Sequence, residues 1–287
     1  YNGRALMAHA GPQLNDRTWR IVQHEGFHQF AREVIGGDMP IWVNEGLAEY
    51  FGESIFTGDR LISGVIHPAR LRRIKERIQK NEFKPAREMM FLPHAVWGAE
   101  LSVVNYDHAW SMVHFLMHGE DNRYQAPFVR FMLALNRRVP WERAWRDSFG
   151  AIEGFEEKWK AWWLALPDHP TQEIYTMAGV AALTNYLARA TVDRKTFESS
   201  TAFLSAAAAG QIAGDPRDAL PASLYADAIR WLPRDLPDRL QLVELPSRQW
   251  ALALNRSDKP RLVGTYQLAG TRVQQVMVEP DDLPRIL

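Results

Sequence analysis

The sequence predicts an α+β fold, mostly helical and in two parts, and three observations carry that expectation. Apolar residues recur at helical spacing through much of the first 166 positions. The breakers Pro167-Asp168-His169-Pro170 then interrupt the pattern and mark a boundary. Beyond them, Ala- and Leu-rich helical segments give way to stretches that alternate apolar and polar residues between turn signals. The expected division is a first domain over residues 1–168 and a mixed helical and β accessory region over 169–287.

Taken in order, Tyr1–Gly11 is short, is apolar in Ala5-Leu6-Met7-Ala8 and ends at Gly11-Pro12, which reads as one strand and a turn. Asn15 or Asp16 caps a helix from about Arg17 to Ile35, and Gly36-Gly37 stops it. Pro40 opens a second helix through about Phe51, so a short connection joins the two. Pro68–Lys80 sets Leu71, Ile74 and Ile78 at helical spacing against Arg70, Arg72, Arg73, Lys75, Arg77 and Lys80. That is an amphipathic helix whose basic face is expected in solvent. Further helices are expected over Asn105–His118, with Tyr106, Trp110 and His114 on one face, over Tyr124–Asn136, and over Phe155–Leu166, whose Trp159, Trp162 and Trp163 read as core. After the boundary come helical Ile174–Ala190, Phe197–Ile212 and Ala222–Leu232. A small meander is expected over Trp250–Leu254, Arg261–Leu268 and Arg272–Val278.

Composition narrows the chemistry. Lys+Arg and Asp+Glu number 34 each, so no global field recruits nucleic acid or an anionic membrane. With no Cys, disulfides, thiol catalysis and Cys-ligated zinc are excluded, which leaves His, Asp and Glu to bind any metal. No run approaches the roughly eighteen apolar residues of a membrane span. The chain begins at Tyr1 rather than Met, from which an upstream signal peptide or domain is expected, with a secreted or periplasmic location if a signal peptide was removed.

The chemistry concentrates in Gln23-His24-Glu25-Gly26-Phe27-His28-Gln29. His-Glu-x-x-His in a helical pattern puts two imidazoles on one face, one turn apart, where they can grip one metal ion with Glu25 beside it as general base. A third ligand is required. Two imidazoles and one carboxylate leave the fourth position of tetrahedral zinc open, which separates catalytic from closed structural sites. After sixteen intervening residues, 29 to 44, Glu45 in Pro40-Ile41-Trp42-Val43-Asn44-Glu45-Gly46-Leu47-Ala48-Glu49-Tyr50-Phe51 is the expected ligand. Glu49, one turn on, is placed to accept the outward N–H of a ligating imidazole, and Asn44 to do the same for the other histidine.

These stretches resemble the gluzincin clan, the thermolysin-like and aminopeptidase-like zinc peptidases, in which a second helix carries an Asn-Glu-Gly-type ligand motif. The wording His-Glu-Gly-x-His-Gln, Pro-x-Trp-x-x-Glu-Gly-Leu-Ala-Glu-Tyr-Phe and a later Tyr-x-x-Ala-Trp looks like an uncharacterised bacterial family of peptidase-MA-like domains, over roughly residues 1–167. The gap from His28 to Glu45 is shorter than in typical aminopeptidases of the clan and their Gly-x-Met-x-Asn strand is not visible, so exopeptidase action is not implied. The resemblance implies a gluzincin-like catalytic core, one Zn2+ ion on His24, His28 and Glu45, and hydrolysis of a peptide or protein substrate. In that reaction zinc polarises the scissile carbonyl and lowers the pKa of its bound water to about 7, while Glu25 takes the proton and delivers it to the leaving amine. It also implies a catalytic tyrosine at the start of a later helix, here Tyr106 as oxyanion donor, with His114 as the fallback one further turn along. Two rivals stand beside this reading: a zinc hydrolase of an amide outside a polypeptide, and a peptidase-derived binding module without activity. The intact Glu25 argues against the second.

Overall fold

A computed structural model describes residues 16–36, 39–100, 102–215, 220–221, 223–234 and 239–281. The strand expected over Tyr1–Gly11, with His9, and the Asn15 cap lie outside these residues. The fold is α+β, about 58% helical with two small antiparallel sheets, so helix packing rather than sheet register positions the residues of interest.

The described residues form two compact units. The first runs to Ser54 and resumes over Ser63–Pro170; the second comprises Ile55–Ile62 and the chain from Thr171 onward. The segment 55–62, inside the stretch read from sequence as the first domain, is a hairpin of β1 (Ile55–Phe56) and β2 (Leu61–Ile62). It joins the second unit because the Asp59 carboxylate accepts the Val276 N–H at 3.1 Å while Arg60 donates to the Val276 carbonyl.

In the first unit, α1 (Asp16–Phe30) ends in one π turn, Ala31–Ile35, where a single uninterrupted helix to Ile35 was expected. Asn136 Nδ2 donates to the carbonyls of Val34 and Ile35 at 2.8 and 2.9 Å, satisfying acceptors that the wider turn frees. Then comes α2 (Ile41–Gly52), with Pro40 just ahead of it. Next are α3 (Pro68–Gln79), the short α4 (Ala86–Met90) and α5 (His94–Glu100), and α6 (Val103–Asn122), kinked where Glu120 and Asp121 turn left-handed at φ 47° and 56°. The unit closes with α7 (Gln125–Asn136), α8 (Trp141–Phe149) and α9 (Phe155–Ala165). The sequence reading did not single out α4, α5 and α8, which are short and begin at or just after prolines.

Trp42, Trp110, Trp145, Trp159 and Trp163 are fully buried in this unit's core, and Trp162 packs against it. A close helix crossing lies right beside Glu45. A Cβ on Gly46 would lie 2.6 Å from the Ala109 carbonyl oxygen and 2.7 Å from Val113 Cγ2, so α2 and α6 meet backbone to backbone at the residue next to the expected ligand.

The expectation of a solvated basic face on α3 is wrong for its most important member. Arg72 is exposed, but Arg70 is buried and Arg77 mostly so, because the carboxylates of Glu49, Glu53 and Asp107 converge on that side of the helix.

In the second unit, α10 (Gln172–Val192) lies against a sheet in the order β3-β4-β5-β6, formed by Leu240–Glu244, Trp250–Leu254, Arg261–Ala269 and Arg272–Asp281. The first of these strands had no counterpart in the expected meander. Two further helices, α11 (Ser200–Ala208) and α12 (Leu224–Trp231), complete the unit, and Tyr266 Oη meets Thr191 Oγ1 at 2.6 Å between sheet and helix. Among the described residues, no helix is long and apolar enough to cross a membrane.

Candidate metal centre

Helical spacing on α1 brings the His24 and His28 rings to 4.8 Å, edge to face, with their Nε2 atoms 3.1 Å apart. From α2, Glu45 Oε2 lies 3.4 Å from His24 Nε2 and 3.5 Å from His28 Nε2. These three are the one group among the described residues whose ligand atoms are arranged to hold a metal ion.

Their outward atoms are spoken for. His28 Nδ1 meets Asn44 Oδ1 at 3.1 Å and His24 Nδ1 meets Glu49 Oε1 at 3.2 Å. Because neither oxygen carries a proton, each ring must place its N–H at Nδ1, which turns both Nε2 atoms inward. Glu45 Oε2 is buried with no hydrogen-bond partner. Three lone pairs therefore face one another, an arrangement that only a cation or an added proton relieves. Metal–ligand bonds of about 2.0–2.1 Å in a tetrahedral zinc site imply ligand separations of roughly 3.3–3.4 Å. The observed 3.1, 3.4 and 3.5 Å bracket that value, so the donor set fits zinc.

The electrostatics agree with the geometry. Burial alone would lower the His24 pKa, but the Glu45 and Glu49 carboxylates overcome it and raise it to about 9. Burial pushes Glu45 the other way, yet both histidines hold it below its ordinary value. Glu49 is likewise resisted by burial and still falls to about 2, through His24 and Arg70. Such a cluster carries its charges unless a stronger cation displaces the proton.

Glu25 follows His24 on α1 and is half-buried. Tyr106 stands in the first turn of α6, which the Ser102 side chain caps by accepting the Val104 N–H at 3.2 Å and which Asn105 ties to Glu100 at 2.8 Å. The Tyr106 ring lies 6.3 Å from the His24 ring, and buried Trp97 from α5 meets it edge-on at 5.1 Å. Burial raises its pKa, and the negative charges of Glu45, Glu49 and Glu25 raise it further, so the hydroxyl stays protonated at neutral pH.

The structure thus brings His24, His28, Glu45, Asn44, Glu49 and Tyr106 together. It does not bring His114. That side chain is fully buried against Tyr50, Trp110, His118 and Trp163, and His108 is buried between Phe83 and Trp159. Sequence reasoning missed Arg70, Asp107 and Trp97. A signal for Arg70 existed, since it lies four residues before Ile74 and so on the apolar stripe of α3 rather than opposite it.

Residues 19–142, from α1 into the start of α8, match a family described as a protein of unknown function, DUF1570. No curated protein and no solved structure matches the chain.

Proposed function

We propose that the first unit is a zinc-dependent hydrolase of peptide bonds, of gluzincin type. The observation that carries metal dependence is the convergence of His24 Nε2, His28 Nε2 and Glu45 Oε2 at 3.1–3.5 Å, with both outward nitrogens engaged. Peptide hydrolysis rests on the likeness of the two motif stretches to the gluzincins. When bound, zinc supplies a Lewis acid here and acidifies water near neutral pH. Glu25 accepts the proton of the attacking water and hands it to the leaving amine. Tyr106, kept protonated by burial and by the surrounding carboxylates, donates its O–H to the developing oxyanion. Asn44 and Glu49 keep the two imidazoles facing inward.

The test begins with metal analysis of protein purified without added metal, then a broad protease-substrate screen with and without chelator. Zinc near one equivalent and chelator-sensitive cleavage are expected. Glu25→Gln should keep the zinc and the fold while hydrolysis drops by about 10²–10⁴-fold, because it removes a base and not a ligand. Near wild-type turnover in that variant would contradict the mechanism.

A further inference from the structure

Arg70 gathers more carboxylates than a helix-surface arginine has reason to, and no step of the hydrolysis uses it. Its side chain is 5% exposed. Nη2 lies 2.9 Å from Glu49 Oε2, Nη1 donates to Glu53 Oε1 at 2.7 Å and Nε to Asp107 Oδ1 at 3.1 Å. The guanidinium also stands 4.1 Å from the Trp110 ring centroid. Two of those carboxylates lead to the candidate centre from different helices. The other oxygen of Glu49 meets His24 Nδ1 at 3.2 Å, and Asp107 is the residue after Tyr106. Asp107 is itself buried and accepts from Arg73 Nε and Nη2 at 2.6 and 2.8 Å.

We propose that Arg70 is a positioning residue for this centre. It fixes Glu49, which in turn holds the His24 imidazole with Nε2 inward, and through Asp107 it pins the first turn of α6, which presents Tyr106. A planar guanidinium can serve three acceptors in different directions at once, whereas an ammonium of the same charge cannot hold all three in these places. Rotation of Arg70 would take one charged partner from a buried or half-buried carboxylate on each of two helices, so Arg70 links the positions of Glu49 and Asp107. The inference rests on the metal-dependent reading of His24, His28 and Glu45.

The decisive experiment is a double-mutant cycle read as zinc affinity by chelator competition, with thermal melts to verify folding, for Arg70→Lys, Glu49→Gln and the pair. Each single change should weaken zinc by about 10-fold or more, as loss of a partner behind a ligand does. In the pair, the Arg70 step should add less than about twofold, because its path runs through Glu49. A residue that merely stabilises the fold would lower the melting temperature and leave zinc affinity unchanged, or would act independently of Glu49; either result overturns the proposal. If Arg70→Lys does not fold, Asp107→Asn takes its place in the cycle, since Glu49 and Asp107 meet through Arg70. Coupling between those two supports the link, and strict additivity removes it. Zinc bound with coupling but without hydrolysis of any substrate sinks the peptidase reading alone. Zinc bound without coupling sinks the positioning role alone, and a wild type without zinc affinity sinks both.

Discussion

The first unit contains two histidine pairs of the same spacing, His24/His28 on α1 and His114/His118 on α6, and in each the ring centroids are 4.8 Å apart. Their surroundings differ in the carboxylates. The first pair faces Glu45, Asn44 and Glu49, and His24 is raised to about 9. Around the second are aromatic rings, with Tyr50 Oη 2.8 Å from His118 Nε2. There burial drives His114 well below its ordinary value, and the positive charge of Arg70 lowers it further. Two imidazoles one turn apart are therefore only an opportunity. The carboxylates brought by a neighbouring helix set the two pairs apart: they hold the proton on His24, whereas burial among rings keeps His114 neutral.

The largest effect should come from making the first pair resemble the second. Glu45→Ala leaves two inward-facing imidazoles with no carboxylate between them, and zinc occupancy after purification should be lost, a greater deficit than the roughly 10–100-fold expected for an outer partner. Metal analysis and calorimetric titration check it. Full occupancy and tight binding would remove Glu45 from the ligand set, and the contrast between the pairs would lose its cause.

Tyr106→Phe is the next step down. Tyr106 and His114 share the same face of α6, but only Tyr106 reaches the His24 ring. Deleting one hydroxyl should lower kcat by about 10²–10³-fold, as for an oxyanion donor, while zinc content and melting temperature stay put. Unaltered turnover would leave Tyr106 as a packing residue with a well-placed ring.

What was legible in the sequence divides along the same line. His24, His28, Asn44, Glu45 and Glu49 fall within two contiguous helical stretches, where 3.6-residue periodicity converts spacing directly into direction. How α3 and α6 approach those helices is decided by tertiary packing, such as the contact at Gly46, and no local pattern encodes it. Arg70 fell on the wrong side of that limit. Its place on the apolar stripe of α3 signalled burial, but the acids it serves, Asp107 above all, lie up to 37 positions away, beyond the reach of a local pattern. The π turn after His28 and the two-residue strands at Ile55 and Leu61 are likewise too short to leave a periodic signal.

A third prediction uses pH to sharpen the comparison. In the metal-free protein His24 holds its proton up to about pH 9, so zinc must displace it at neutral pH. Apparent zinc affinity should rise by about tenfold per unit between pH 7 and 9 and then level off, with about one proton released per ion bound. The stability that the His24 proton lends the metal-free fold has the matching sign. It is fully present below the unfolded value near 6.5 and is lost as pH rises through about 9. A flat affinity profile over that range would mean that Glu45 and Glu49 do not charge His24.

The smallest effect on the centre, and the sharpest control, is expected from His114→Phe. Neither His114 ring nitrogen makes a well-formed hydrogen bond; the Val65 backbone is the polar group that reaches it, and Trp110, Trp163 and Tyr50 supply the rest of the cage. An aromatic ring of similar breadth replaces a poorly satisfied polar one, so zinc affinity and turnover should be unchanged and stability at pH 8 should shift by no more than about 1 kcal/mol in either direction. The difference should emerge in acid. Because the buried imidazole resists protonation while the unfolded chain accepts a proton below about 6.5, the wild type loses stability as pH falls from there, by up to about 1.4 kcal/mol per unit for this one group. Urea melts between pH 8 and 5 should show that slope reduced by one proton in His114→Phe and not in a variant of an exposed histidine such as His94. An identical slope would place the acid sensitivity elsewhere, with His108 the next group to examine, since burial carries it down to about 3. Loss of zinc or of turnover in His114→Phe would instead connect the aromatic pair to the metal centre through Tyr50 and α2, and the separation between the two kinds of histidine pair would no longer hold.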